Sequence, residues 1–207
     1  AGTEHRMKSG LLILISAPSG AGKTSLVEAA LTLDKNLVVC VSHTTRTKRD
    51  SEVEASNYYF IASTIFERMV GNNDFLEHAT VFGNRYGTSK TEVATKRQAG
   101  QDVILEIDWQ GARQLRQLVP EAVSIFILPP STDALKKRLL DRGQDSPQSI
   151  AGRLAEAQLE MSQAGNYDYI IVNDDFDTAH AELSAIITAE RKKTGRQLDN
   201  PLVKALL

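Results

Sequence analysis

A glycine-rich segment near the start of the chain has the residue types that bind a chain of phosphates. Residues 17–24 read Ala-Pro-Ser-Gly-Ala-Gly-Lys-Thr and directly follow a short apolar run. The segment matches the pattern Gly-x-x-x-x-Gly-Lys-[Ser/Thr], except that Ala17 replaces the first glycine. Gly20 and Gly22 would let backbone N–H groups converge on phosphate oxygens, at the positive end of a helix. We therefore predict a nucleotide phosphate site; the alternative is an ordinary glycine turn.

The side chains of this loop and a later acidic residue predict a magnesium nucleotide. Lys23 would reach the β- and γ-phosphates, and the Thr24 hydroxyl would ligate Mg²⁺. Asp108, at the end of a later apolar strand, would hold a metal-bound water, with Glu106 on the same face. The alternative for Asp108 is a solvated strand end or the N-cap of a helix. The predicted triphosphate site comprises Ser19, Gly20, Ala21, Gly22, Lys23, Thr24 and Ser25.

Two further segments carry arginines suited to a second phosphate and to a phosphoryl group in transfer. Arg46 and Arg49 follow the second predicted strand, and Tyr58 comes shortly after them. Fork-shaped guanidinium groups and a phenolic hydroxyl suit a phosphate. The alternative for any one arginine is an ordinary surface cation. A separate group, suited to neutralising charge during transfer, comprises Arg138, Arg142 and Arg153.

An α/β fold must position these residues, because short apolar runs alternate with segments of helical spacing. Predicted strands span residues 11–16, 37–41, 103–107, 123–128 and 169–172. Predicted helices span residues 23–33, 110–118, 132–141, 148–163 and 178–193. Such apolar strands are typical of burial on both faces, so we predict a mainly parallel five-stranded sheet flanked by helices.

The regular alternation is interrupted by an inserted lobe at residues 44–93, which has strands of its own and a helix near 65–70. A mobile lid is predicted at residues 142–149, where Gly143 and Pro147 lie between two helical segments, and residues 142–165 comprise this lid region and the helix that follows it. The remaining ranges 7–43, 94–141 and 166–194 form the predicted core. Residues 1–6 are expected to be a cloning remnant ahead of Met7, and residues 195–207 a tail.

Composition excludes several classes of protein. With 207 residues, 42% hydrophobic and 24% charged, the chain is expected to form one domain with insertions rather than a disordered polymer. A net charge of −2 argues against a nucleic-acid partner. The apolar runs are far shorter than the roughly 18 residues that span a membrane. Cys40 is the single cysteine, so we expect it to be buried and the protein to be cytoplasmic. Composition indicates no particular oligomeric state.

Taken together, these motifs resemble guanylate kinase. The resemblance covers about residues 11–193 and rests above all on Thr-Thr-Arg at 44–46 and Ile-Asp-Trp-Gln-Gly at 107–111. Matching segments also occur at 83–88, 127–131 and 172–175. The resemblance implies a P-loop core with a GMP-binding lobe and a lid. It also implies that the γ-phosphoryl group of ATP passes to GMP, and to dGMP, with Mg²⁺ as cofactor.

The resemblance assigns residues to each substrate. Arg46, Arg49, Tyr58 and Tyr86 would hold the GMP phosphate, and Ser42, Glu77, Thr88 and Glu106 would surround the guanine. Gly87 and Asp108 complete the implied GMP site. On the ATP side, the implied catalytic residues are Lys23, Arg138, Arg142 and Arg153, and Asn173 would lie near the adenine.

Glu77 has the chemistry to distinguish guanine from adenine. Guanine offers N1–H and an exocyclic N2 amine side by side, and an ionised carboxylate accepts from both. Adenine instead presents a bare N1 acceptor. The alternative for Glu77 is a solvated strand residue.

The chain departs from the family pattern Thr-Thr-Arg-x-Pro-Arg-x-Gly-Glu-x-x-Gly at three positions. Lys48, Ser51 and Ala55 replace the proline and both glycines. A side chain at a position that needs a positive φ costs about 1 kcal/mol, so we expect GMP affinity to be altered rather than lost.

Two other functions fit parts of the same pattern. One is a guanylate-kinase-like interaction module without turnover, against which Lys23, Thr24 and the lid arginines argue. The other is a P-loop kinase for a different nucleotide or small phosphorylated substrate.

Overall fold

The computed structural model describes residues 9–141 and 147–207. Its strands are β1 (Leu12–Ser16), β2 (Leu37–Val39), β3 (His43–Thr44), β4 (Tyr59–Phe60), β5 (Phe75–Val81), β6 (Asn84–Ser89), β7 (Asp102–Glu106), β8 (Val123–Leu128) and β9 (Tyr169–Val172). Its helices are α1 (Lys23–Leu33), α2 (Ser63–Gly71), α3 (Lys90–Gln98), α4 (Trp109–Leu118), α5 (Thr132–Asp141), α6 (Pro147–Ser162), α7 (Phe176–Lys192), α8 (Thr194–Gln197) and α9 (Pro201–Lys204).

The larger sheet consists of five short strands in the order β2-β7-β1-β8-β9. β2 runs parallel to β7, and β8 runs parallel to β9. At the start of β1, the Val103 amide donates to the Leu11 carbonyl (2.8 Å). Every residue of β1 is at most 1% exposed, as expected for a strand covered on both faces. The predicted α/β fold with a parallel five-stranded sheet is confirmed.

The chain divides into two compact units. One comprises the chain up to Leu14 together with Asn36–Ala122, and the other comprises Ile15–Lys35 together with Val123–Leu207. The predicted lobe at 44–93 falls within the first unit, and the described part of the predicted lid region with its following helix, 147–165, falls within the second. The finer division into core, lobe and lid stays a prediction.

The first unit contains a second sheet of four strands in the order β4-β3-β6-β5. β5 and β6 form an antiparallel hairpin whose turn places Phe82 and Gly83 at φ of 48° and 75°, the left-handed conformation that tight hairpins favour. Glu77 on β5 is paired in register with Thr88 on β6. Because strand side chains alternate, Tyr86 and Thr88 share one face of this sheet.

Helix α4 is held against the edge strand β5 by two glutamines. The side chain of Gln114 donates through Nε2 to the His78 backbone carbonyl (2.8 Å) and accepts through Oε1 from the His78 backbone amide (3.3 Å). Gln110 donates to the Thr80 carbonyl (3.2 Å). These side chains satisfy backbone groups on the outer edge of β5, so the beginning of α4 is fixed relative to this strand.

The second unit is held together by helix packing. Helix α1 contacts α7, which buries Leu183 and Ile187, and an ion pair of 2.7 Å joins Asp34 after α1 to Arg191 on α7. Helices α5 and α6 share a separate apolar cluster formed by Leu135, Leu139, Leu154, Ala157 and Met161. This cluster orients α5, which carries Arg138.

Several elements differ from the sequence prediction. Helix α3 was not predicted, although Ser89 accepts a hydrogen bond from the Glu92 amide (3.3 Å), the capping arrangement that begins many helices. The tail contains α8 and α9, the latter capped by Asn200 (2.9 Å from its Oδ1 to the Leu202 amide).

Cys40 is free and buried, as predicted. Over residues 9–141 and 147–207, no helix is long and apolar enough to cross a membrane.

Candidate active site

The phosphate loop, residues 17–24, lies in the second unit and forms a concave run of backbone amides. Gly20 and Gly22 both have positive φ, 92° and 87°, and the Ala21 amide closes a turn onto the Pro18 carbonyl (3.1 Å). Helix α1 begins directly after Gly22, at Lys23. Alternating left- and right-handed residues before a helix N-terminus aim successive N–H groups at one point, the arrangement that binds anions.

The side chains of the loop leave its open side to solvent. Lys23 is half-buried, whereas Thr24 and Ser25 on the first turn of α1 are exposed. An exposed hydroxyl directly after the lysine is a suitable Mg²⁺ ligand once a nucleotide supplies phosphate oxygens. Within the described residues, no group of three or more His, Cys, Asp or Glu side chains is arranged to hold a metal by itself. The Thr24 hydroxyl is therefore the group of this loop whose chemistry fits Mg²⁺.

Helix α5 places Arg138 against the phosphate loop. Its Nη1 donates to the Gly20 carbonyl (3.2 Å), and a Cβ added to Gly20 would lie 3.2 Å from a Leu135 methyl group. The structure thus brings Arg138 to the predicted triphosphate site. Arg153 is half-buried on α6, and Arg142 lies outside the described residues.

Asn173, directly after β9, also contacts the phosphate loop. The residue is 6% exposed, and its Nδ2 donates to the Ala21 carbonyl (2.8 Å). The same nitrogen fills the space beside Gly22 where a Cβ would stand. The contact to the loop backbone is a feature that the sequence did not predict.

In the first unit, Arg46 forms a two-point ion pair with Glu52. The distances are 2.6 Å and 3.0 Å, and the Glu52 carboxylate also accepts from the Arg49 amide (2.8 Å). The hydrogen bonds with Arg46 lower the pKa of Glu52, and those same bonds raise the pKa of Arg46. Sequence analysis left Glu52 out of the site, although it occupies the glutamate position of the family pattern quoted above.

Aromatic side chains surround the Arg46 guanidinium. It lies 5.5 Å from the ring centre of Tyr58 and 5.7 Å from that of Phe60. The Tyr58 and Tyr86 rings meet edge to face at 5.7 Å. Burial, reinforced by Tyr86 and Glu106, raises the pKa of Tyr58 to about 12, so its hydroxyl remains a hydrogen-bond donor. The predicted phosphate-binding residues Arg46, Tyr58 and Tyr86 are therefore clustered.

The loop that carries this cluster has a positive φ at only one of the two positions where the family pattern has glycine. Ala55 has φ of 60°, in the left-handed region, whereas Ser51 is not among the described residues with positive φ. The Ala55 amide donates to the Tyr58 carbonyl (2.9 Å), which ties the strained position to the phosphate cluster. Arg49 is exposed on the same loop.

Glu77 is a buried carboxyl group with one occupied and one available oxygen. It is 4% exposed, and its Oε1 accepts from the Thr88 hydroxyl (2.6 Å). Within the described residues, Oε2 accepts no hydrogen bond. Oε2 lies against the Cα of Gly111, and a Cβ there would overlap it. Burial, with a smaller contribution from Asp108, raises the pKa of Glu77 to about 7.

The other predicted guanine-side residues lie around this carboxyl group or the strands that carry it. Ser42 is buried, and its carbonyl accepts from the Tyr59 amide (2.9 Å). Gly87 faces His43 in register, where a Cβ would press on the Phe75 ring. Glu106 is half-buried at the end of β7.

Asp108 serves as the N-cap of α4. Its Oδ1 accepts from the Gly111 amide (3.0 Å), and its Oδ2 accepts from Gln110 Nε2 (3.0 Å). The structure therefore realises the capping alternative for Asp108. Its proposed second role, holding a metal-bound water, stays a prediction.

Comparisons with known proteins show the family of the chain. A family model described as guanylate kinase matches residues 9–190. A curated protein named guanylate kinase from Alkalilimnicola ehrlichii is 54% identical to this chain, and the match covers 91% of this chain and 93% of that protein. A second, from Salmonella typhimurium, is 51% identical, and the match covers 97% of this chain and 99% of that protein. A crystal structure of guanylate kinase from Anaplasma phagocytophilum superposes with a TM-score of 0.76 at 33% identity, covering 97% of this chain and 99% of that one. The chain belongs to the guanylate kinase family, the nucleoside monophosphate kinases that transfer a phosphoryl group from ATP to GMP.

Proposed function

We propose that the four-stranded sheet of the first unit reads both ends of GMP, and that Mg²⁺-bound ATP occupies the phosphate loop. The supporting observation is the pairing of Glu77 with Thr88 on the same sheet face as Tyr86. Tyr86 and Thr88 are two residues apart on β6, or about 7 Å along the strand. One strand face thereby presents a base-reading group near one end and the phosphate cluster near the other.

Guanine recognition depends on the ionised form of Glu77. Thr88 occupies Oε1, and the base would supply N1–H and N2–H donors to the carboxylate. Adenine has neither of these two donors, so AMP would leave the buried charge of Glu77 unpaired. A site built around such polar pairing can reject a ligand that lacks the donors by about 10⁴-fold. The proposed recognition acts on the guanine base and the phosphate, which GMP and dGMP share, and we therefore propose dGMP as a second acceptor.

Phosphate recognition depends on Arg46 and its aromatic neighbours. Glu52 holds the guanidinium in place, while the hydroxyls of Tyr58 and Tyr86 would supply further donors. A GMP phosphate would thus meet preorganised donors, together with the exposed Arg49. Preorganisation favours binding because little side-chain freedom remains to be lost.

Phosphoryl transfer needs positioning and neutralisation of charge rather than a covalent protein intermediate. The phosphate-loop amides and Lys23 would hold the β- and γ-phosphates, and Arg138, Arg142 and Arg153 would offset negative charge as the phosphoryl group moves. Mg²⁺, held through Thr24 and phosphate oxygens, would supply further charge neutralisation when bound. Asp108 is a candidate to hold one of its waters.

An assay of ADP release tests this proposal against its alternatives. GMP and dGMP should support ADP release, whereas AMP and UMP should not. Binding of GMP without ADP release would favour an interaction module, and a preference for another acceptor would favour a different kinase. The single buried cysteine is compatible with a reducing compartment, and we propose that the enzyme acts in cytoplasmic purine metabolism.

A further inference from the structure

Asn173 occupies a rigid position directly after β9. Its backbone amide donates to the Leu128 carbonyl (2.8 Å) and continues the ladder between β8 and β9. The residue is 6% exposed, so most of its surface faces protein. Its side-chain amide is thus held by the sheet rather than by a flexible loop.

The side chain reaches the backbone of the phosphate loop. Nδ2 donates to the Ala21 carbonyl (2.8 Å), across 152 positions of sequence. Nδ2 also fills the space beside the Cα of Gly22, where a Cβ would overlap it. The contact therefore involves both residues of one peptide unit.

The geometry of that peptide unit links Asn173 to phosphate binding. In a trans peptide, the carbonyl of one residue and the N–H of the next point in opposite directions. Fixing the Ala21 carbonyl toward Asn173 consequently turns the Gly22 N–H away from it, and this amide donates no hydrogen bond within the described residues. The positive φ of Gly22 permits the orientation.

We propose that Asn173 is a positioning residue for the phosphate loop: it fixes the Ala21–Gly22 peptide so that the Gly22 amide faces the nucleotide phosphates. The role rests on the proposed binding of ATP at this loop. It differs from a contact with the adenine, because it acts on the phosphate chain of any triphosphate, whichever base is attached.

Inorganic tripolyphosphate separates the two roles, since it carries phosphates and no base. Asn173→Asp keeps the shape but replaces the Nδ2 donor by an oxygen that repels the Ala21 carbonyl. We expect this variant to bind tripolyphosphate and ATP about tenfold or more weakly, by similar factors, in calorimetry with Mg²⁺ present. The steady-state KM for ATP should rise correspondingly, and the KM for GTP as donor should rise by the same factor as for ATP.

Two further variants and a measurement of unfolding show whether a loss of affinity comes from the Asn173 side chain. Asn166→Asp makes the same chemical change at an exposed position of the second unit and should leave both affinities unchanged. If Asn173→Asp does not fold, Asn173→Ala removes the donor without adding charge and should show the same parallel loss. Unfolding midpoints establish that the variants compared are folded.

Weaker ATP binding with unchanged tripolyphosphate binding would assign Asn173 to the base and overturn the proposal. Unchanged affinity for both ligands would also overturn it. Failure of the wild type to bind tripolyphosphate would overturn the phosphate-loop assignment and this role together. Failure of the wild type to bind GMP would overturn the proposed acceptor while leaving the Asn173 comparison valid.

Discussion

Arg46 and Glu52 form a two-point ion pair, with distances of 2.6 Å and 3.0 Å, in the loop that carries the proposed GMP phosphate site. Both side chains are largely buried, at 15% and 13% exposure, so the pair is less screened than a surface salt bridge. Glu52 also binds the Arg49 amide (2.8 Å). An anion beside a phosphate-binding arginine competes for its charge, but here it also fixes the shape of the loop.

We expect the fixing role to dominate. Glu52→Gln should raise the KM for GMP about tenfold, since Arg46 loses its two-point partner and the Arg49 amide loses a charged acceptor. Glu54→Gln is the matched control, because Glu54 lies in the same loop and its carboxylate accepts from the Phe60 amide at 3.2–3.4 Å rather than from Arg46 or Arg49. Steady-state kinetics with saturating ATP would measure the KM for GMP of both variants, and Glu54→Gln should keep the wild-type value. A lower KM for GMP in Glu52→Gln would instead show that Glu52 acts mainly as a competing anion.

The left-handed conformation of Ala55 predicts a stabilising substitution. Because Ala55 has φ of 60°, Ala55→Gly should relieve strain and raise the free energy of unfolding by up to about 1 kcal/mol. Ser51→Gly replaces the other family glycine at a residue without positive φ, so it should be neutral or destabilising. Denaturant unfolding of the two variants provides the comparison. Equal stabilisation by both would show that backbone strain at Ala55 is not the cause.

Gly111 provides the space that the Glu77 carboxyl group occupies. Gly111→Ala should displace Glu77 Oε2 and reduce kcat/KM for GMP about tenfold or more, while binding of ATP at the phosphate loop stays unchanged. Gly71→Ala is the control in the same unit, since a Cβ there meets nothing within 4 Å. Full activity of Gly111→Ala would mean that the carboxyl group adjusts freely and that Gly111 does not position it.

The raised pKa of Glu77 predicts proton release when GMP binds. The free carboxyl group has a pKa of about 7, and guanine requires its ionised form, so affinity for GMP should increase as the pH rises from about 6 to 8. Calorimetry at pH 7 in two buffers of different ionisation enthalpy should detect release of about half a proton per GMP. Absence of release at pH 6 to 7 would contradict the shift.

The Glu77 carboxyl group also makes the free energy of unfolding depend on pH. The folded protein keeps the Glu77 proton up to about pH 7, whereas the unfolded chain loses it near pH 4.5. Between these values the folded state binds more protons, so this contribution to the free energy of unfolding decreases as the pH rises. Comparison of wild type with Glu77→Gln over this range isolates the contribution.

Local patterns in the sequence predicted the fold and the phosphate loop because their causes are local. Short apolar runs bounded by polar residues or proline indicate buried strands, and the Gly-x-Gly-Lys-Thr segment specifies a turn and a helix start within a few residues. The short helices α3 and α9 begin after the capping residues Ser89 and Asn200 but have little apolar periodicity. These caps were the available signal for α3 and α9, whereas α8 begins without a side-chain cap.

Long-range contacts account for what the sequence did not predict. The hydrogen bond from Asn173 to Ala21 spans 152 positions, and no local pattern specifies it. The contact of Glu77 with Gly111 likewise requires α4 to be docked on β5. Glu52 was accessible to sequence analysis, because a glutamate six residues after an arginine in a short loop is within reach of a side-chain ion pair.

Substitution of Glu77 most directly tests the central claim that a buried carboxylate selects guanine. Glu77→Gln keeps the size of the side chain but replaces one acceptor oxygen by a donor amide. Measurement of kcat/KM for GMP and AMP in wild type and variant should show a wild-type preference for GMP of about 10⁴-fold. The variant should lose about 1.5 to 3 kcal/mol of transition-state stabilisation with GMP, while AMP stays flat or improves. A variant that uses GMP within about twofold of wild type, or a wild type that phosphorylates AMP as readily as GMP, would contradict the claim.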